Sequence, residues 1–472
     1  MSANRFDEIT DRAVKYISGG LERVRQWLIQ SRARELVLLA LPYQVAAVLT
    51  ALVAVGYAKL FHWMEARNMA LLEQDPRWIF ATAPLGFLVS WFVVRRFAPL
   101  AGGSGIPQLM AAIEVATEKK RDASWRFLNV RIILVKITAS LALVFGGGAA
   151  GREGPTLQIA GSIYRAVHKV LPPFWPRVSR RVMMITGGAA GLSAAFNTPL
   201  GGIVFAVEEL TKTHIAQFRT AVLTAVIISG MTAQWLLGPY LFLGYPKLQP
   251  ATFSFMYKIL AIAAVAGLAG AVFCRLLLAV DKLRRSLKGF VAHALFAIGC
   301  ALLFALVVHF IGMQAVGSGK GVLERYLFAS DVGASGRDVA ARMLGPLFTS
   351  SAGGAGGIFA PSLAAGAAIG GWLTEMLGFA GNRGQFNLLV LAGMTAFLTG
   401  VTRSPFTSAI LVLEMTDRHS AIFQLMYAAV IGYLIAYTID RKSYYERMRD
   451  KLLAALPGYK AENTVVVTGD RT

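Results

Sequence analysis

The chain has 472 residues, of which 56% are hydrophobic and 15% are charged, whereas about a quarter of the residues are charged in soluble proteins. Its net charge of +21 would suit a nucleic-acid-binding protein, but the basic residues lie in short groups between apolar runs, and no nucleic-acid-recognition motif is present. A soluble domain could not bury this much apolar sequence. We therefore predict an all-α polytopic protein of the lipid bilayer that binds no nucleic acid.

The first 34 residues carry charges throughout and lack the apolar stretch of a cleaved signal peptide. Their amphipathic pattern predicts a helix over 1–34 at the cytoplasmic surface of the membrane. A single transmembrane domain is expected over 35–445, because no linker or low-complexity segment divides the chain. The segment 446–472 is expected to be a short cytoplasmic tail.

Long uncharged runs follow in chain order, and several exceed the roughly 20 residues that span a bilayer. They cover 36–58, 78–94, 182–207, 220–246, 289–319, 343–374, 385–402 and 420–439. The run 259–274 is shorter, which leaves open whether it crosses the membrane fully. Most basic residues lie in short loops between these runs and near the two termini, so the positive-inside rule predicts that both termini are cytoplasmic. The sequence 65–77 has no basic excess and is expected to be an outside loop.

A fixed offset of 206 residues recurs along the chain. It separates two Gly/Pro segments, two prolines and two glutamates: 151–155 from 357–361, Pro199 from Pro405, and Glu208 from Glu414. A repeated offset indicates an internal duplication, with halves over about 36–243 and 257–439. In membrane proteins, Gly/Pro-interrupted segments at matching places in two halves mark a transporter binding site.

The Gly/Pro segments predict interrupted helices at membrane depth. Pro107, Pro155 and Pro361 fit the first turn of a helix, with the glycines in an exposed loop before it. Helix starts offer free N–H groups and a partial positive charge, so several of them meeting in the membrane would bind an anion. The alternative is that the glycines only allow close helix packing, a role that also suits the segment 365–371.

Three of these segments, in their order and spacing, resemble the signature motifs of the CLC family of chloride channels and chloride/proton antiporters. They are Gly103-Ser104-Gly105-Ile106-Pro107, Gly151-Arg152-Glu153-Gly154-Pro155 and Gly357-Ile358-Phe359-Ala360-Pro361. The resemblance covers nearly the whole membrane region and implies a CLC-type fold of about 16–18 helices, many of them short, tilted or broken, in two halves of inverted topology. It also implies a homodimer with one pore in each subunit, and a prokaryotic member of the bacterial inner membrane.

The same resemblance implies which residues bind chloride. These are Ser104, Gly105 and Ile106 of the first motif, Glu153 and Gly154 of the second, Ile358 and Phe359 of the third, and a tyrosine near the end of the domain. The alignment favours Tyr445 for this tyrosine and leaves the adjacent Tyr444 open. An interfacial anchor is the competing interpretation of Tyr445.

Glu153 is interpreted as the gate of the anion site. A carboxylate inside a Gly/Pro break in apolar sequence is costly and is usually functional. When ionised it could occupy the anion site, and when protonated it could swing out and admit chloride. The alternative is a salt bridge between Glu153 and Arg152.

Glu209 is interpreted as the internal proton acceptor, because proton-coupled members of the resembled family carry a glutamate near this position. The alternative is that Glu208 and Glu209 are ordinary interfacial charges. Lys136 lies in the apolar run 132–148 and is expected either to pair with a carboxylate or to extend towards the membrane surface.

The leading hypothesis for function is therefore a chloride/proton antiporter, and the alternative is a passive gated chloride channel of the same fold. A scaffold or an intramembrane enzyme is a third class, but no catalytic constellation supports an enzyme. The 2 cysteines and 6 histidines show no ligand spacing, so we predict no metal and no cofactor. The resemblance also implies that Ser104 and a candidate tyrosine favour chloride over fluoride and nitrate.

Overall fold

The computed structural model describes residues 32–116, 122–173, 175–211, 219–238, 241–249, 252–329, 333–457 and 459. Nearly all of the helix predicted over 1–34 lies outside the described residues, and so does the tail after residue 459. The described part contains 17 α-helices, which agrees with the predicted all-α fold of about 16–18 helices.

The helices are numbered here in chain order. They are α1 (Arg32–Gln74), α2 (Ile79–Phe97), α3 (Ile106–Glu114), α4 (Val130–Phe145), α5 (Glu153–Val170), α6 (Arg180–Phe196), α7 (Pro199–Phe205), α8 (Arg219–Leu237), α9 (Met256–Ser286), α10 (Phe290–Phe310), α11 (Lys320–Phe328), α12 (Gly336–Ser351), α13 (Phe359–Met376), α14 (Arg383–Thr402), α15 (Pro405–Thr416), α16 (Ile422–Ile439) and α17 (Tyr444–Ala454).

Eight of the described helical segments are long and apolar enough to cross a membrane. The sequence left the crossing of 259–274 open, whereas the structure extends this run to a helix of 31 residues, Met256–Ser286. Lys258 and Arg275 bound the uncharged run without ending the helix. Each donates a hydrogen bond to a backbone carbonyl, Lys258 to Phe379 at 2.7 Å and Arg275 to Ile439.

Two of the uncharged runs contain breaks rather than single helices. The run 182–207 is divided between α6 and α7 by Asn197, which adopts a left-handed conformation with φ of 57°. The run 343–374 is divided between α12 and α13 by a non-helical segment that begins after Ser351. Hydropathy detected these runs but could not locate the interruptions that shape the interior.

The duplication is visible in the helix bounds. Helix α4 begins at Val130 and α12 at Gly336, and both have 16 residues. Helix α5 begins at Glu153 and α13 at Phe359, and both have 18 residues. The starting residues are 206 apart in each pair, which is the offset seen in the sequence motifs.

Small residues allow the central helices to approach closely. Helix α14 is the most buried of the eight spans, with 89% of its apolar window inside the protein. A Cβ on Gly366 of α13 would lie 2.5 Å from the carbonyl oxygen of Gly393 on α14, so both positions require glycine. The segment 365–371 therefore serves helix packing, as its sequence suggested.

Candidate anion and proton site

Backbone hydrogen bonds join the first Gly/Pro segment to the third. The N–H of Gly103 donates to the carbonyl of Gly354 at 2.8 Å, and the N–H of Gly356 donates back to the carbonyl of Gly103 at 3.2 Å. These contacts connect residues more than 250 positions apart in the chain. They place the segment before α3 beside the segment before α13.

The second segment pairs with the third in the same way. Gly151 and Gly357 exchange two backbone hydrogen bonds, at 2.8 Å and 2.9 Å. Both residues are buried, so the expectation of an exposed loop is wrong for the second and third segments, whereas Gly103 of the first segment is exposed. Because buried backbone groups need partners, the segments satisfy one another instead of facing solvent.

Helices α3, α5 and α13 begin where the three segments meet, and each carries its motif proline in the first turn. The residues that precede them, Gly105, Arg152 and Ile358, make no side-chain capping bond. By contrast, the starts of α4, α6, α14 and α17 are capped by side chains of asparagine or serine. The three uncapped starts therefore keep N–H groups and partial positive charge available for an anion.

The first two helix starts are in direct contact. A Cβ on Gly154 would collide with the hydroxyl of Ser104, and a Cβ on Gly105 would lie 2.6 Å from the carbonyl oxygen of Gly154. Gly105 also has a φ of 106°, which favours glycine. Glycine at both positions therefore lets the backbone approach the Ser104 side chain.

The remaining predicted donors lie in the same buried region. Ile106, Ile358 and Phe359 are each at most 1% exposed. The ring of Phe359 packs against that of Phe196, with their centroids 5.6 Å apart. These side chains fill the space around the helix starts. The backbone N–H groups of Ile106 and Phe359 lie in the first turns of α3 and α13, and that of Ile358 lies one residue before α13.

The hydroxyl groups of Ser104 and Tyr445 lie close to each other. Both are buried, and neither makes a hydrogen bond that satisfies it within the protein. Leaving a buried hydroxyl without a hydrogen bond destabilises the folded protein by about 1–3 kcal/mol. Two such groups side by side therefore indicate donors that are available to a ligand. Tyr444 lines a cavity that also reaches Ser104.

Helix α17 holds Tyr445 through contacts at its start. Ser443 and Glu446 form a reciprocal capping box, and Arg447 donates to both carboxylate oxygens of Asp440, at 2.6 Å and 3.1 Å. Burial acts to raise the pKa of Asp440, but the bonds from Arg447 and from the Lys442 N–H lower it on balance. Asp440 therefore stays ionised and keeps the helix start in place.

Glu153 is the first residue of α5 and is only 2% exposed. Its carboxylate lies close to its own backbone N–H and to that of Ala360 on α13, and a Cβ on Gly151 would collide with it. The carboxylate thus occupies the space between two uncapped helix starts. No ion pair joins it to Arg152, although both residues are within the described part of the chain, so the geometry does not support the salt-bridge alternative.

Lys136 differs from the sequence-based expectation. Its ammonium group is fully buried and donates to the carbonyls of Ala101 and Gly103, at 2.8 Å and 2.7 Å. It therefore neither pairs with a carboxylate nor extends to the surface. These bonds place the side-chain nitrogen of Lys136 next to the carbonyl of Gly103, immediately before Ser104.

Glu208 and Glu209 lie in a π-helical turn, Ala206–Thr211, that follows α7. Glu209 is 4% exposed and accepts a hydrogen bond from Ser404 at 2.6 Å. It also lies close enough to Tyr445 to interact electrostatically with it. Glu208 points elsewhere and binds the N-terminus of α15 through Thr407. Neither is an ordinary interfacial charge.

A cavity leads from the protein surface to Ser104. Its charged lining includes Arg95, Arg284 and Arg285, with Asp281 as its carboxylate. The basic groups predicted the orientation of the chain from its sequence, but their place beside the site could not be predicted from it. The sequence feature that could have indicated this is the pair of arginines near the end of α9. Only the fold shows that their side chains line the cavity.

A family model described as voltage gated chloride channel matches residues 85–437. The chain is 32% identical to the H(+)/Cl(-) exchange transporter ClcA of Salmonella agona (strain SL483) over 447 residues, which is 91% of this chain and 92% of that protein. It is also 32% identical to the protein of the same name from Salmonella gallinarum (strain 287/91 / NCTC 13346) over 428 residues, covering 87% and 88%.

Solved structures with the same fold include a slow cyanobacterial Cl-/H+ antiporter, with a TM-score of 0.75, 22% identity and coverage of 89% of this chain and 98% of that one. A CLC-type fluoride/proton antiporter matches with a TM-score of 0.73 and 20% identity, over 88% of this chain and 98% of that one.

Proposed function

The chain belongs to the voltage-gated chloride channel family, as its three motifs predicted, and on this premise we propose that it exchanges chloride for protons across a membrane. The observation that carries the proposal is the Glu153 carboxylate, which lies between the uncapped starts of α5 and α13. A carboxylate can both occupy an anion site and carry a proton. The similarity to proteins named H(+)/Cl(-) exchange transporter supports this function over a passive channel.

We propose that chloride binds among the three helix starts. Ser104 and Tyr445 supply hydroxyl donors, and Gly105, Ile106, Gly154, Ile358 and Phe359 supply backbone N–H groups. These neutral donors replace the hydration shell of a halide, and because they carry no full charge the ion can also leave. The buried ammonium of Lys136 adds positive potential from below the first motif.

The proposed gating mechanism rests on competition between the Glu153 carboxylate and chloride for the same site. When ionised, the Glu153 carboxylate is held at the helix starts in the position that chloride would take. Protonation removes its charge and weakens this attachment, so the side chain moves out and chloride enters. Each opening therefore takes up a proton, which couples the two ions.

Protons need a second route on the inner side, because a chloride-filled path offers no acceptor of suitable proton affinity. We propose that Glu209 takes protons from the cytoplasm and passes them towards Glu153. Its supports are its burial, its bond from Ser404, and its position near Tyr445 and away from the basic cavity. Transient water would complete the path.

Purified protein in liposomes tests this function. A chloride gradient should drive protons against their own gradient, and the movement should stop when chloride is equal on both sides. Chloride flux without uphill proton movement would support the gated channel instead. Flux of neither ion would remove both transport hypotheses.

We propose that the active form is a homodimer in a bacterial inner membrane, with both termini cytoplasmic and with halves over about 36–243 and 257–439. The family resemblance supports the dimer, and the basic groups beside the termini support the orientation. Single-molecule photobleaching would count subunits. Labelling of a cysteine introduced at Glu73 or at Arg441, from each side of vesicles, would test the orientation.

A further inference from the structure

A second acidic side chain, that of Glu65, lies near the residues 145–152 that precede the gate residue Glu153. These residues are called the gate segment. Glu65, on α1, is half-buried and accepts two hydrogen bonds from Ser318, one from its N–H at 2.7 Å and one from its hydroxyl at 3.0 Å. The neighbouring Gly317 has a φ of 68°, and a Cβ there would collide with the Glu65 carboxylate. Glycine at 317 therefore permits this close contact.

The loop bound by Glu65 is joined in turn to the gate segment. The N–H of Gly317 donates to the carbonyl of Gly147 at 3.1 Å, six residues before Glu153. The buried Arg342 holds the same loop by donating to the carbonyls of Val316 and Gly317, at 2.8 Å and 3.1 Å.

One turn further along α1, Asn68 holds the gate segment directly. Its amide donates to the carbonyl of Phe145 at 2.6 Å. Helix α1 thus binds the loop 316–318 through Glu65 and the last residue of α4 through Asn68, and Gly317 of this loop binds Gly147. The gate segment then continues to Gly151, whose bonds to Gly357 fix the start of α5.

Glu65 also acts by charge. It interacts electrostatically with Glu153, and so do Arg152, beside the gate, and Tyr57, on α1. A negative neighbour makes ionisation of the gate less favourable, whereas Arg152 makes it more favourable. The charge of Arg342 lies near Glu65 and reduces its effect.

On the basis of the proposed function, we propose that Glu65 is a positioning residue for the outer gate, holding the loop 316–318 against the gate segment and setting the external pH at which Glu153 opens. The contact and the charge are separable. Glutamine at 65 keeps an oxygen that can accept from Ser318 but removes the charge, and alanine removes both.

The test compares Glu65→Gln, Glu65→Ala and the control Glu73→Gln with the unchanged protein in liposomes, as the external pH is varied. Glu73 is exposed near the end of the same helix. Glu65→Gln should transport both ions, with its acid activation shifted by roughly half a pH unit or more to lower pH. Glu65→Ala should also lose coupling, and Glu73→Gln should match the unchanged protein.

A Glu65→Gln profile that superimposes on that of the unchanged protein would overturn the proposal, even if Glu65→Ala does not fold. A loss of yield with no shift in the profile would give Glu65 a structural role only and would also overturn it. Chloride flux alone is sufficient for this comparison. A failure of proton coupling in the unchanged protein would therefore count against the proposed function and leave the Glu65 result to be judged separately.

Discussion

Glu208 and Glu414 each cap a helix of the opposite half of the chain. Glu208 accepts hydrogen bonds from the N–H groups of Phe406 and Thr407 at the start of α15, at 3.2 Å and 2.7 Å. Glu414 accepts from those of Leu200 and Gly201 at the start of α7, at 3.0 Å and 2.8 Å. The two glutamates are 206 residues apart, which is the offset of the repeated motifs, and their contacts are reciprocal.

Alanine at either position should destabilise the protein. Each change removes a charged acceptor from two helix N–H groups, which is worth about 1–2 kcal/mol. Glu208→Ala should cost more, because Glu208 also binds the Thr407 hydroxyl. Thermal unfolding in detergent would measure this, with Glu73→Ala as an exposed control. Equal unfolding temperatures in all variants would contradict the capping role.

Glu153→Gln should behave as a permanently protonated gate. Chloride flux should continue, its dependence on external pH should disappear, and protons should no longer follow chloride. Paired measurements with chloride and pH electrodes on the same vesicles would show this. Uphill proton movement driven by chloride in this variant would remove Glu153 as the gate.

Glu209→Gln should keep chloride flux and abolish proton flux, because it removes the inner acceptor without touching the anion site. Glu208→Gln is the matched control and should keep coupling, since Glu208 is engaged with the start of α15. Both fluxes are read in the same vesicles. Retained coupling in Glu209→Gln would place the acceptor elsewhere, and Glu208 would then be examined first.

The hydroxyl of Tyr445 should matter more than that of Tyr444. Tyr445→Phe removes one of the two buried donors at the site and should weaken chloride binding by about one order of magnitude, which corresponds to roughly 1.4 kcal/mol. Tyr444→Phe should change the chloride affinity little. Ser104→Pro should allow nitrate to enter the site. Isothermal titration with chloride would measure the affinities. A larger effect of Tyr444→Phe would reverse the assignment.

Lys136→Met should weaken both the fold and chloride binding. The change leaves the carbonyls of Ala101 and Gly103 without their charged donor, and each such bond contributes roughly 1.5–3 kcal/mol. It also removes positive potential beneath Ser104. Unfolding temperature and chloride affinity would both be measured, with the exposed Lys59→Met as the control. Unchanged affinity in a folded Lys136→Met variant would exclude the electrostatic part of this role.

The sequence could predict the fold class and the segments that meet at the site, because both depend on local signals. Apolar runs, Gly/Pro breaks and the offset of 206 residues are visible without coordinates. The start of α13 at Phe359 and the proline in its first turn follow from the same local chemistry.

Contacts between residues that are far apart in the chain could not be predicted from these local signals. Lys136 binds backbone carbonyls, which every residue carries, so no spacing in the sequence identifies them. The different directions of the adjacent Glu208 and Glu209 depend on the π-helical turn that holds them. The sequence placed Glu65 in a loop over 65–77, whereas it lies on α1, and its partner Ser318 lies 253 residues away, beyond the reach of local signals.

The bonds between Gly151 and Gly357 also determine when the anion site can form during synthesis. During translation Gly151 is synthesised 206 residues before Gly357, its backbone partner. A chain that has entered the membrane only as far as α12 has Glu153 but lacks the start of α13, and it therefore has no complete chloride site. The chloride site proposed above is therefore completed only after the start of α13, and later Tyr445, has been synthesised.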